Sequence, residues 1–390
     1  MKKIILPALT MAFCLSMSTV SFTSCSDDNN PSTEVTQSEK EQALQKAAIP
    51  YVNNTVLPTY TAMADAAIEL YNDCETIKEK FAAGTLTTDD VKKAGEVWKT
   101  SRKQWELSEA FLFGPATNHN IDPHIDSWPL DKSAMDDLLK DIKAGKQWSI
   151  DNNGGYGLLG YHSIEYVLFE LSEDGNTSHV HSIDTYTPEI LEYLVAVAED
   201  LRNQCVLLEA CWKGTDGVSE EKQKILEDAE LGFNENYSFY MLNAGQAGSI
   251  YKTYQEVAEE IISGCVDIAD EVGNTKMGKP YQGGSDENRN YIESPYSLNS
   301  IEDFQDNIRS IKNSYEGIQE GDACISDYIK TVNPTLDTDV RNAIQNAIDK
   351  IGLIPEPFTK NAQTQTTKDA IDACNALMDQ LNKVNTQLGK

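Results

Sequence analysis

Val56, Tyr60, Met63, Ala67, Leu70, Cys74, Ile77 and Phe81 recur at steps of 4, 3, 4, 3, 4, 3 and 4. Residues so spaced lie on one face of an α-helix. An apolar face of that length needs other helices to cover it. Pro50 and Pro58 are expected to kink or start the N-terminal part of this helix, and Gly84 to close it. A second helix opens at "TTDD", a capping signal, carries Val91, Ala94, Trp98 and Trp105, and is expected to run to Phe113. Then "GPATNHNIDPHIDSWPLD" places three prolines in eighteen residues, which excludes a regular helix and predicts a long loop. A short helix is expected from about Lys132 to Ala144, a breaker at "DNNGGYGLLG", and helical periodicity again over 187–213.

The polar stretch "GTDGVSEE" at 214–221 marks the expected domain boundary. Downstream, Tyr237, Met241, Ala244, Gly248, Tyr251, Ala258, Ile262, Cys265 and Ala269 predict one long helix. A second long loop follows, and three amphipathic helices are expected over 300–388. Strands with a period of two are nearly absent. The fold class is therefore all-α, with two up-and-down helical bundles of the four-helix type and long irregular loops. The bundles are placed at 39–214 and 215–390.

The N-terminus reads as a leader. Lys2 and Lys3 precede "IILPALTMAFCL", an apolar run too short to span a bilayer, and "SFTSC" follows. The expectation is a lipoprotein signal over 1–24, lipidation at Cys25 and a polar tether over 25–38. Ordinary secretion with a free Cys25 is the other reading. The chain carries a net charge of −30, and removing 1–24, with two lysines and no acids, takes it to −32. Phosphate backbones and anionic lipids need Lys and Arg, so nucleic acid is excluded and the lipid is the only expected membrane contact. An outer-membrane location follows, with the periplasmic or the outer face left open. Beyond Cys14 and Cys25, the six other cysteines contain no C-x-x-C and read as buried thiols, with an occasional disulfide outside the cytoplasm as the alternative.

"GYHSIEYVLFE", residues 160–170, carries the chemistry. His162 and Glu165 share a helical face beside the apolar Ile164, Val167, Leu168 and Leu171. A polar pair at the edge of a core must be satisfied by protein partners, a metal or water. H-E-x-x-H is absent, and no histidine follows His181. A zinc site would have to draw on His119, His124 or the "HVH" at 179–181, since catalytic zinc takes three protein ligands. Carboxylates with one imidazole suit iron better. A satisfied structural histidine is the alternative. Arg102, Trp105 and Glu109 are spaced 3 and 4 and are expected on one helix face, as a functional group or as a surface ion pair. Glu293 and Ser294 in "YIESPYS" are a third candidate, and "HVH" reads as a solvated loop pair.

The series "RKQWELSEAFLFGP", "IDSWPLD", "GYHSIEYVLFE", "IADEVGNTKMG" and "YIESPYS…SIEDFQDNI" resembles the imelysin-like family, whose signature G-x-H-x-x-E is Gly160, His162 and Glu165 here. The resemblance implies a two-domain helical protein with the signature at the cleft between bundles. The family is named for an insulin-cleaving membrane peptidase and is classed with metallopeptidases, while many members are associated with bacterial iron uptake. Carried over by position, the metal site would be His162, Glu165 and Glu109. Arg102, Trp105, Trp128, Gly160, Glu293 and Ser294 would support it. The expected function is binding of a metal ion or metal-bearing ligand, iron ahead of zinc, in concert with an unidentified iron-uptake protein. A metallopeptidase using His162 and Glu165, and a surface interaction module without a working site, are the alternatives.

Overall fold

The computed structural model describes residues 36–150 and 155–390. The expected leader, lipidated Cys25 and the tether as far as 35 lie outside the described residues.

Proline decides how the first helices join. Thr36 accepts a hydrogen bond from the Glu39 amide while the Glu39 carboxylate accepts from the Thr36 amide, and this box starts the helix Gln37–Pro50. Pro58, in the first turn of the helix Leu57–Ala82, has no N–H to return to the Asn54 carbonyl. The chain widens into a π turn, Tyr51–Val56, in which the Leu57 amide bonds the Val52 carbonyl five residues back. The same device recurs after the helix Tyr254–Asp270. There the π turn Glu271–Lys276 precedes Pro280, and the Met277 amide bonds the Val272 carbonyl. The two turns read Y-V-N-N-T-V and E-V-G-N-T-K, sharing Val, Asn and Thr in register.

Leu57–Ala82 packs against Thr88–Glu106 and Pro188–Lys213. Tyr254–Asp270, Ser300–Glu316, Pro334–Gly352 and Gln365–Leu388 pack among themselves, and Gln37–Pro50 lies on Tyr254–Asp270. The predicted stripe is buried throughout from Val56 to Ile77. Tyr60 anchors the first group of helices. Its ring meets Phe111 edge-on at 5.4 Å and Trp212 at 5.9 Å, and its hydroxyl donates to the Phe111 carbonyl. Thr88–Glu106 and Ser300–Glu316 touch across the middle, and the described residues form one compact unit. Five of the described cysteines are buried free thiols and Cys324 is a partly exposed one. Among the described residues no helix is long and apolar enough to cross a membrane.

The helical class is as expected, but several elements differ. The second helix stops at Glu106, not Phe113. Ser108 donates from both its amide and its hydroxyl to the Trp105 carbonyl, and the Ala110 amide is taken by Ser310 Oγ, so the α-helical ladder ends and Glu109–Phe111 forms a 3₁₀ turn. The expected long helix over 237–269 is two, Tyr237–Leu242 and Tyr254–Asp270. Gly245 and Gly248 between them take positive φ, and Thr253 caps the second helix. Residues 300–388 hold four helices of eight residues or more, because Ile325–Val332 separates from Pro334–Gly352 at Pro334. The signature helix ends at Leu168. Leu171 belongs to strand β1, Phe169–Leu171, which pairs antiparallel with β2, Ser178–Val180. The "HVH" segment therefore sits in a small hairpin with His179 opposite Glu170, not in a loop.

Candidate functional site

The loop 114–131 folds back in two single helical turns, Pro115–Asn118 and Asp122–Ile125. Its second turn reaches the signature helix because Gly160 has no side chain. A Cβ there would sit 2.2 Å from the Ile125 carbonyl oxygen, and φ is +74°. The close approach sets Asp126 beside His162. Gly160→Ala is expected to destabilise the fold by about 3 kcal/mol or more, since it adds a backbone clash to a left-handed strain. Urea denaturation checks this, and a cost below about 1 kcal/mol would refute it.

His162 and Glu165 are fully buried. The His162 Nδ1–H donates to Glu165 Oε2 over 3.3 Å. Glu165 Oε1 accepts from the amides of Tyr296 (3.0 Å) and Ser297 (2.7 Å) and from the Ser297 hydroxyl (2.7 Å). Glu165 thus ties the "ESPYS" loop to the signature helix and fixes the imidazole from its far side. His162 Nε2 then points inward, 3.2 Å from Asp126 Oδ1 and 3.9 Å from Glu293 Oε1. Neither carboxylate is aligned for a hydrogen bond with it, and Glu293 Oε2 is also without a partner. Trp128 covers the imidazole at 4.6 Å between ring centroids.

Arg102 is the hub of the charges. Its guanidinium reaches Glu106 (2.5 Å), Glu293 (2.6 Å), Asp303 (3.7 Å) and, closest, Asp126. Trp105 Nε1 donates to Asp126 Oδ2 at 2.8 Å. Lys276, delivered by the second π turn, reaches Glu109 and Glu293 at 3.2 Å each and Glu106 at 3.6 Å. Ser294 adopts φ +50°, rare for a residue with a side chain, and donates to Asp303. Five carboxylates (Glu106, Glu109, Asp126, Glu293 and Asp303) therefore meet two permanent cations, Arg102 and Lys276, while Glu165 pairs with His162.

The excess of acid shows in the titrations. Burial pushes Glu109 up to about 8 although Lys276 opposes it, and pushes Asp303 up to about 6 against Arg102. Burial also raises Glu106 well above the carboxylate range despite both cations. Asp126 moves the other way. Burial raises it, but Arg102 and His162 outweigh burial and hold it ionised. For His162, burial and Arg102 lower the pKa, yet Asp126 and Glu165 outweigh them and bring it to about 9.

Of the residues expected from sequence, His162, Glu165, Arg102, Trp105, Trp128, Gly160, Glu293 and Ser294 converge here. Glu109 is one carboxylate removed. It clusters with Glu106 and Asp126, while His162 clusters with Asp126 and Glu293. Because the helix ends at Glu106, Arg102 and Glu109 do not share a helix face, and the i,i+4 partner of Arg102 is Glu106. Sequence reasoning missed Asp126, Glu106, Lys276 and Asp303. Glu106 was within reach through its spacing from Arg102. Asp126 and Lys276 sit in irregular segments with no periodicity to mark them. His119, His124, His179 and His181 pair elsewhere, with Glu235, Asp200 and Glu170.

Residues 56–384 match the family model described as Imelysin. Iron-regulated protein A of Synechococcus elongatus is 25% identical over 325 residues, 82% of this chain and 79% of that protein. The crystal structure of an iron-regulated protein A precursor from Parabacteroides distasonis aligns with a TM-score of 0.72 at 27% identity, over 89% of this chain and 95% of that one. An imelysin-like protein from Psychrobacter arcticum aligns with a TM-score of 0.58 over 87% and 93% of the two chains. At 12% identity it is a likeness of fold alone. The family match spans most of the chain and takes in every residue of the buried charge cluster, so the chain belongs to the imelysin family, a peptidase family by its classification.

Proposed function

We propose that this chain binds a metal ion, iron ahead of zinc, through His162 Nε2, Asp126 and Glu293, with Glu165 holding the imidazole. The observation that carries the reading is the buried Nε2, which faces two carboxylates without an aligned hydrogen bond to either, one of them with an oxygen that makes no hydrogen bond of its own. One imidazole with hard oxygen donors suits iron. The surplus of buried carboxylates favours a divalent cation, which would replace the protons they otherwise retain. Arg102 and Lys276 oppose the ion, and the carboxylates Glu106, Glu109, Asp126, Glu293 and Asp303 paired with them offset that charge. The names of the Synechococcus and Parabacteroides relatives point to the same element.

Titration calorimetry of the chelator-treated protein with ferrous, ferric and zinc ions tests this. One ion per chain is expected at the His162 site, with iron bound more tightly than zinc there. No heat with any of the three would overturn the reading. The peptidase alternative is less well supported. His162 and Glu165 are sealed from solvent, and Glu165 already accepts three hydrogen bonds on one oxygen. A peptide-library digest with and without chelator is expected to show no metal-dependent cleavage.

We infer further that lipidated Cys25 holds the protein at the outer membrane beside an iron-uptake protein, the short apolar run before "SFTSC" being what supports the anchor. Cys25→Ala is expected to move the protein from the membrane fraction to the soluble fraction. Retention in the membrane would refute the anchor.

A further inference from the structure

A second cluster of ligating side chains lies away from His162. His119 closes the turn Pro115–Asn118, Cys211 is in the last turn of the helix Pro188–Lys213, and Glu235 is in the loop before the helix Tyr237–Leu242. One ligand atom from each lies within 4.8 Å of the other two. His119 Nε2 and Glu235 Oε2 are 2.6 Å apart, and the Cys211 side chain is buried.

The surroundings fix all three. The His119 ring stacks on Phe233 with 3.6 Å between centroids and 12° between planes. The side chain of Asn236 donates to the Lys213 carbonyl and accepts from the Phe239 amide, so the Glu235 loop is tied to the end of the Cys211 helix. Next to Cys211, Trp212 packs on Tyr237 and Phe113. Beside Glu235, the residues Phe233, Glu235, Lys213 and Tyr240 border a cavity of about 480 Å³, with room for water or a small ligand.

We propose that His119, Cys211 and Glu235 form a second metal site, for a soft or borderline divalent cation such as zinc. A thiolate, an imidazole and a carboxylate are zinc's three common protein donors, and three protein ligands with an open position make a four-coordinate site. A thiolate selects against the hard-ion preference of the His162 site. Donors at bond lengths of roughly 2.0–2.3 Å from one ion stand about 3.5 Å apart in a tetrahedron. His119 and Glu235, now 2.6 Å apart, would move apart by about 1 Å as the ion replaces their hydrogen bond, and the Cys211 sulfur, within 4.8 Å of both, would close in on the ion. Burial and Glu235 push the Cys211 thiol up to about 12, so the metal-free residue is a neutral thiol and binding releases its proton to solvent.

Cobalt is the probe, because a thiolate bound to Co²⁺ gives an intense near-ultraviolet charge-transfer band that oxygen and nitrogen donors do not. The full chain titrated with Co²⁺ is expected to show the band, Zn²⁺ to remove it by displacement, and His162→Ala to retain it. Cys211→Ala is expected to abolish it, and His119→Ala to weaken Co²⁺ binding about 10–100-fold. No band in the unaltered chain, or a band that survives Cys211→Ala, overturns the site. Should Cys211→Ala fail to fold, Glu235→Gln in its partly exposed loop decides: weaker Co²⁺ binding supports the site and unchanged binding refutes it. Loss of metal at His162 with the cobalt band intact would refute only the function proposed for that site.

Discussion

Arg102→Met is expected to cost about 3–5 kcal/mol of folding stability, the penalty for removing one partner from buried ion pairs. The methionine fills part of the guanidinium's space, so the loss is mainly electrostatic. Arg102 is sealed from solvent and faces Glu106, Asp126, Glu293 and Asp303. Lys276 stands near Glu106 and Glu293 but pairs with neither Asp126 nor Asp303 among its contacts. Two carboxylates would therefore lose their permanent cation outright. Urea denaturation of both proteins, free of metal, gives the difference directly. Adding Asp303→Asn to the variant should recover part of the loss, because Asp303 is one of the two carboxylates left without a permanent cation. A cost below about 1 kcal/mol would mean that the carboxylates escape by taking up protons, and Arg102 would then not be what holds the cluster together.

His162→Ala should have the largest effect on binding: on the order of 100-fold weaker affinity for ferrous ion or more, measured by calorimetry on variants whose helical circular dichroism is intact. It removes the only imidazole in the His162 cluster. Glu165→Gln should cost about 10–100-fold, as loss of a group that orients a ligand does. The pH dependence has a definite sign. Metal-free His162 titrates at about 9, so below that pH an incoming ion must displace a proton from it. Affinity should rise about tenfold per pH unit from neutrality towards 9 and then level off. Asp126, held ionised by Arg102 and His162, adds no competing proton over that span. Unchanged affinity in both variants, or affinity flat from pH 7 to 9, would sink the assignment of His162 as a ligand.

The helices were legible because their apolar stripes are long. Val56 to Ile77 lies buried at the spacing that predicts it. The site was legible only where regular structure carries it. His162 and Glu165 sit on one helix, so their spacing placed them side by side. Glu109 was misplaced because Ser108 and Ser310 end the helix three residues earlier, a tertiary effect that no local pattern carries. Asp126 and Lys276 come from a folded-back loop and a π turn. Their positions depend on the contact that Gly160 permits and on Pro280, both far from them in pattern if not in sequence.

The two π turns allow a comparison inside the one chain. Aligned on their shared Val, Asn and Thr, they put Val56 opposite Lys276. Both side chains are buried. The turn therefore forms equally well around an aliphatic residue, and nothing in its backbone requires an amine. What differs is the company: Val56 faces a hydrocarbon core, and Lys276 faces Glu106, Glu109 and Glu293. A buried ammonium carries a heavy desolvation penalty. The protein thus contains its own apolar reference for that position, and against it Lys276 is a counter-ion for the acids rather than a part of the scaffold. The scaffold is a repeated turn, and the charge is written onto one copy of it.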